Sequence, residues 1–154
     1  SARTARSHRG QSRGEAAAPH NVTMTSSPSV LQQITKSSRG AKTGVWLMGM
    51  GALHFAAPKP FDTIVPAELP GSPRAYTYGS GVAEIAVGGL LVAPKTRRIG
   101  ALAAIALYLG VLPANVNMVR LWKDKPLPMR AAAVARLPMQ IPMITQAWKI
   151  YKES

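Results

Sequence analysis

One carboxylate, Glu84, stands in the middle of the apolar, small-residue run Tyr78-Gly-Ser-Gly-Val-Ala-Glu-Ile-Ala-Val-Gly-Gly-Leu-Leu-Val-Ala93. No other charged residue lies in that run. If the run crosses a bilayer, an ionised group there must be paired, neutralised or put to use, because an isolated charge in hydrocarbon is costly. Whatever fold the chain adopts has to bring polar groups from elsewhere to Glu84.

The composition agrees with a membrane setting: 47% of the residues are hydrophobic and 16% charged, a balance that leans toward membrane proteins. The mean hydropathy near zero averages two unlike regions. Residues 1–42 hold seven Lys/Arg, one acid and little apolar clustering, whereas residues 43–148 are rich in Ala, Leu, Val, Ile, Gly and Pro. Of the net +13, the tail carries +6 and the remainder, with twelve bases and five acids, +7. Such an excess calls for an anionic partner, either nucleic acid or the anionic face of a membrane. With no cysteine in the chain, disulfides, thiolate-held metals, iron–sulfur clusters and thiol redox chemistry are excluded for the chain by itself.

Residues 1–42 read as a disordered basic tail, too poor in apolar surface to offset the entropy of ordering. The first methionine is Met24. Residues 1–23 are read either as non-native translated upstream sequence or as an Arg- and Ser-rich transit segment. Residues 43–150 are expected to form the folded unit, an all-α, four-helix transmembrane bundle. Its first span, about 44–57, is short for a hydrocarbon core of ~30 Å at ~1.5 Å per residue. A proline-rich loop follows over 61–74, with Phe61, Ile64, Val65 and Leu69 dipping inward. The second span is about 75–93, ended by Pro94. Beyond a basic turn at Lys95–Arg98 comes the longest apolar stretch, 99–122, which Pro113 should bend. The last span, about 129–150, carries Arg136, Pro138, Gln140 and Pro142. Gly49, Gly51, Gly81, Gly88, Ala103 and Ala104 are the expected points of close helix approach.

Lys/Arg placement favours both termini in the cytoplasm. Counted from the outer ends of the helices at ~1.5 Å per residue, His54, Arg136, Asn115, Glu84 and Gln140 all fall in the outer half of the membrane. Four helices thus bring an imidazole, a guanidinium, two carboxamides and a carboxylate to one level. Two readings stay open. In one, a Glu84–Arg136 pair with Asn and Gln hydrogen bonds clasps the helices together. In the other, these five residues line a pocket for a small polar molecule or a quinone head group, with Glu84 able to relay protons. Trp46, Trp122 and Trp148 should mark helix ends at the interfaces. Bis-histidine haem is disfavoured, because His8 and His20 lie in the tail. No nucleotide-binding glycine pattern, catalytic triad or metal cluster is present. The tail's arginines lack interleaved aromatics, so no specific nucleic-acid site is expected.

The segments His54-Phe-x-x-Pro58-x-x-Phe61-x-x-Ile-Val-Pro66-x-x-Leu-Pro70, Ser80-Gly-x-x-Glu84, Arg97-Arg-x-Gly-Ala, Pro113-Ala-Asn115-x-x-Met118 and Arg136-Leu-Pro-x-Gln140 together resemble the DoxX-like family of small four-helix bacterial membrane proteins. The resemblance runs from about Gly49 to Trp148, with Lys59 standing where an acid is expected. It implies a multi-pass inner-membrane protein acting as a subunit or anchor in a quinone-linked or oxidative-stress redox assembly. Electrons would then be carried by a redox protein partner or by bound, non-covalent quinone. A transporter or proton-linked channel with Glu84 as its titrating gate is the alternative, and a soluble basic nucleic-acid binder the third. Whether the protein forms a homo-oligomer is left open.

Overall fold

The computed structural model describes the backbone of residues 30–154 and side chains from Ser38 onward; the expected tail over 1–29 and the histidines within it lie outside the described residues. The described residues are all-helical: α1 (Val30–Ala56), α2 (Pro58–Asp62), α3 (Pro73–Val92), α4 (Arg97–Gly110), α5 (Leu112–Leu121) and α6 (Leu127–Glu153). α1 begins at Val30, within the segment expected as tail, and runs 27 residues without a break. The first helix is therefore not short. Its third turn is held by packing and pairing that a composition count cannot register: Gly40 is buried against the Arg97 side chain, and Arg39 Nη1 reaches both Glu153 carboxylate oxygens at 2.7 and 2.8 Å.

Four long rods, α1, α3, α4 with α5, and α6, run alternately up and down. Between α1 and α3 two glycine pairs bring the backbones together. A Cβ on Gly44 would lie 2.5 Å from the Gly88 carbonyl oxygen, and one on Gly51 would lie 2.6 Å from that of Gly81. Each pair is seven residues, two helical turns, from the other. Gly51, Gly81 and Gly88 thus act as expected, Gly44 joins them, and Gly49 does not, for it faces open space. Ala104 is fully buried and Ala103 packs partly buried beside it.

α3 starts at Pro73, whose missing N–H costs nothing in a first turn, and Ser72 Oγ accepts from Ala75 N–H at 3.3 Å. Its last carbonyls, which have no partner within the helix, are met by side chains of the following turn. Thr96 Oγ1 donates to Leu90 O at 2.9 Å, and Arg97 donates from Nε to Leu91 O at 2.8 Å and from Nη2 to Val92 O at 2.9 Å. The third rod breaks at Val111, two residues before Pro113. Proline there supplies no N–H to the preceding turn, and the axis is interrupted where the sequence placed a bend.

The core is built from Leu47, Val87, Leu91, Ala101, Ala104, Tyr108, Ala147 and Ile150. These residues fill the half of the bundle near the α3–α4 turn, leaving the half under the α1–α3 loop to other groups. By length and composition one rod among the described residues, Arg97–Leu121, is a candidate membrane span. Charge is spread over all four rods: α1 contains Lys36, Arg39 and Lys42, α3 Arg74 and Glu84, the third rod Arg97, Arg98 and Arg120, and α6 Arg130, Arg136, Lys149, Lys152 and Glu153. Trp46 is also displaced from expectation, lying well inside α1 rather than at a helix end.

The glycine pairs are open to direct test. Gly44→Ala and Gly51→Ala each force a methyl against a carbonyl oxygen and should cost ~1–3 kcal/mol, whereas Gly49→Ala should be neutral or slightly stabilising. Thermal unfolding of the purified chains decides it: equal midpoints for all three variants would mean that the backbones do not approach as closely as the glycines allow.

Candidate functional site

Three residues beyond Gly51 and Gly81, one helical turn along each rod, stand His54 and Glu84. Each packs over the glycine of the other rod: a Cβ on Gly81 would lie 2.9 Å from His54 Cβ, and one on Gly51 would lie 3.0 Å from Glu84 Cβ. His54 is buried. Its Nδ1 is 2.8 Å from the Met50 carbonyl oxygen, which can only accept, so Nδ1 carries a proton. The ring stacks on Phe61 with centroids 3.8 Å apart. Glu84 Oε2 is 3.4 Å from the same Nδ1, but that N–H is already directed to Met50 O. The buried carboxylate oxygen is left without a hydrogen bond among the described residues.

Two cavities meet at Glu84. The first, about 360 Å³, lies beneath the α1–α3 loop and is lined by His54, Phe61, Ile64, Tyr76, Ser80, Glu84, Asn115 and Arg136 among others. The second, about 480 Å³, lies between α1 and α6 and is lined by Trp46, Met50, Glu84, Tyr108, Asn115, Arg136, Met139 and Gln140 among others. Met50, Glu84, Val111, Asn115 and Arg136 belong to both walls. All five residues singled out in the sequence, His54, Glu84, Asn115, Arg136 and Gln140, are therefore brought to one region. The break at Val111 contributes directly, because it turns the start of α5 and its Asn115 toward the interior, where Asn115 is only 5% exposed.

The clasp expected between Glu84 and Arg136 is not formed: Arg136 is exposed and makes no ion pair or hydrogen bond among the described residues. Gln140 is 7% exposed, and its Oε1 is a second buried acceptor with no partner among them. Leaving such an acceptor unsatisfied costs about 1–3 kcal/mol. Two acceptors without hydrogen bonds among the described residues and an exposed guanidinium on the walls of adjoining cavities make a site able to bind a molecule that both donates and accepts hydrogen bonds. No group of three or more metal-ligating side chains occurs among the described residues.

The loop is pinned over the first cavity. Asp62 Oδ1 accepts from Thr77 Oγ1 at 2.6 Å, and Asp62 Oδ2 accepts from Arg74 Nε at 2.8 Å. Asn117 Nδ2 donates to Ile64 O at 3.1 Å, and Tyr76 OH donates to Pro70 O at 2.5 Å. Gly71, at φ +94°, supplies the left-handed turn between them. Phe61, Ile64, Val65 and Leu69 line the cavity, as their spacing in the loop suggested. The Asp62 clamp and Tyr108, a buried hydroxyl-bearing residue on the second cavity, were not singled out. Asp62 lies within a proline-rich loop segment and Tyr108 within an unbroken apolar stretch, and neither setting carries a periodic signal.

A family model described as a domain of unknown function, DUF8561, matches residues 43–151. The chain belongs to that family. No curated protein and no solved structure matches it. The matched segment contains every residue of both cavities and begins after Arg39, so the early turns of α1 lie before it.

The hydrogen bonds from Arg74 and Thr77 hold the Asp62 carboxyl below the usual carboxylate range. A carboxyl with a lowered folded-state pKa stabilises the fold above its unfolded value of about 4 and loses that contribution as pH falls through the folded value. Protease cleavage within residues 57–72 should therefore rise only as the pH drops below about 4. Asp62→Asn should show the raised cleavage already at neutral pH; a variant indistinguishable from the parent at both pH values would remove Asp62 as the loop's clamp.

Proposed function

We propose that this chain is a four-span bacterial inner-membrane protein that binds a quinone-type head group in its polar cavities and serves as a subunit or anchor of a redox assembly, as the DoxX-like resemblance implies. The observation that carries the reading is the meeting of Glu84 Oε2, Gln140 Oε1 and the exposed Arg136 on cavity walls that are otherwise largely apolar. A quinol hydroxyl would donate to either orphaned acceptor, and a quinone carbonyl would accept from Arg136. The chain has no cysteine, so bound quinone or a partner must carry the electrons.

Support for the membrane setting comes from the surface. Val45, Trp46, Val82, Ile99, Leu109, Val134, Met139 and Ile141 are each more than half exposed and are spread over all four rods. Large apolar side chains exposed on every rod suit a bundle surrounded by lipid. Only 28% of the apolar window in Arg97–Leu121 is buried, which suits a lipid-facing helix better than the core helix of a soluble protein. The basic α3–α4 turn and the Lys/Arg-rich early part of α1 lie at one end of the bundle, which favours placing that end and both termini in the cytoplasm.

A second reading, a proton-linked transporter or channel, is favoured by Glu84 forming part of the wall of both cavities. The two separate on experiment. On the redox reading, protein purified in mild detergent carries quinone or a partner protein, and Glu84→Gln and His54→Ala each lower the amount recovered severalfold. Glu84-dependent proton flux in reconstituted vesicles, with no quinone recovered, would replace that reading with the transporter.

A further inference from the structure

The bundle is not closed equally on all sides. α1 packs along α3, α3 on α4, and the third rod on α6, while α1 and α6 touch only sparsely. The seam between α1 and α6 contains the cavity of about 480 Å³ already described and a second hollow of about 460 Å³, and the two share Trp46, Tyr108, Met139 and Met143. Two polar contacts draw the helices together toward the end near the α3–α4 turn: Gln146 Nε2 donates to Thr43 Oγ1 at 2.7 Å, and Arg39 pairs with Glu153. Beyond these contacts the seam lies open at Trp46 and Met139, which are 54% and 55% exposed.

We infer that this seam is a lateral portal that takes the apolar tail of an amphiphile dissolved in the membrane, whose hydrogen-bond-donating head reaches Gln140 and Glu84. The inference rests on the ligand-binding reading above and adds the class of ligand and its route. α6 carries both requirements within two turns. Gln140 presents a buried, unpartnered oxygen to the cavity, while Met139 and Met143 line the same opening. Methionine suits an opening that must admit a flexible chain, because its unbranched, polarizable side chain repacks at little cost. A small water-soluble ligand would need only the cavity under the α1–α3 loop. An apolar hollow that opens sideways and ends on an orphaned acceptor fits a molecule with a long tail and a donor head.

The absence of cysteine from the chain makes the test clean. Trp46→Cys with Met143→Cys, in the full chain, gives one thiol on each side of the seam for a cleavable bis-methanethiosulfonate bridge. The probes are 2,3-dimethoxy-5-methylbenzohydroquinone, which has no tail, and its 6-decyl derivative. Because each methylene kept from water contributes severalfold to affinity, bridging should weaken binding of the decyl compound about tenfold or more. The tail-less compound should be little affected, and reduction of the bridge should restore the decyl affinity. Met139→Trp, which fills the opening from α6 alone, should produce the same split between probes and so guards against a double variant that fails to fold. If bridging affects both probes equally, or neither, the portal is refuted while the binding site stands. If neither probe binds the unbridged parent chain, the quinone-site reading fails and the portal falls with it.

Discussion

The close backbone contact of α1 with α3 sets the geometry of everything else in this protein. Gly44 against Gly88 and Gly51 against Gly81 leave no room for a Cβ on either side, so the two helices meet with their main chains rather than their side chains. Residues one turn beyond each glycine are consequently driven inward. At one end these are Leu47 and Leu91, both essentially inaccessible, and they form part of the core. One heptad away, later in α1 and earlier in α3, the equivalent positions are His54 and Glu84. The stripe that is leucine in one half of the bundle is imidazole and carboxylate in the other, and nothing in the backbone geometry changes between them.

That substitution explains why the polar site lies where it does and why it is poorly satisfied. Elsewhere the chain meets its polar obligations closely. Thr96 and Arg97 cap the carbonyls that end α3, Arg39 pairs with Glu153, and Asp62 is held by Arg74 and Thr77. The two buried side-chain oxygens without partners among the described residues, on Glu84 and Gln140, both line the cavity between α1 and α6. Both groups border that cavity, and a bound donor that reached them would relieve a penalty of about 1–3 kcal/mol for each.

Much of this arrangement was legible in the sequence. Proline and glycine punctuation located four helical segments, and the glycines at 51, 81 and 88 announced close packing because small residues at helical spacing have few other uses in apolar helices. The depth count brought His54, Glu84, Asn115, Arg136 and Gln140 to one level because rise per residue is nearly constant in a helix. What could not be read depends on rotation and on distant partners. Gly49 lies two residues from Gly51 and therefore on another face, a distinction that length and composition do not make. The third turn of α1 is held by Glu153 and Arg97, far along the chain, which a local composition of Ser, Lys and Arg does not register. Arg136 and Glu84 share a level and still do not pair, because charge and depth specify neither rotamer nor the gap between two rods.

The gap itself has a structural cause. Close packing between α1 and α3 ties those rods tightly, and Gly100 lets α4 approach the end of α3, where a Cβ would lie 2.8 Å from Leu91 N. No glycine of α1 faces α6, and α6 itself contains none. The fourth rod meets α1 through Gln146 and Glu153 at one end, and beyond them Met139 and Met143 line the open seam. The break at Val111 redirects the third rod at the same level, since Pro113 cannot continue the hydrogen bonding of α4. Protein interiors are otherwise packed nearly to crystal density. Here a ring of four rods is drawn tight on two sides and propped open on a third, and the cavity follows from where the small residues were spent.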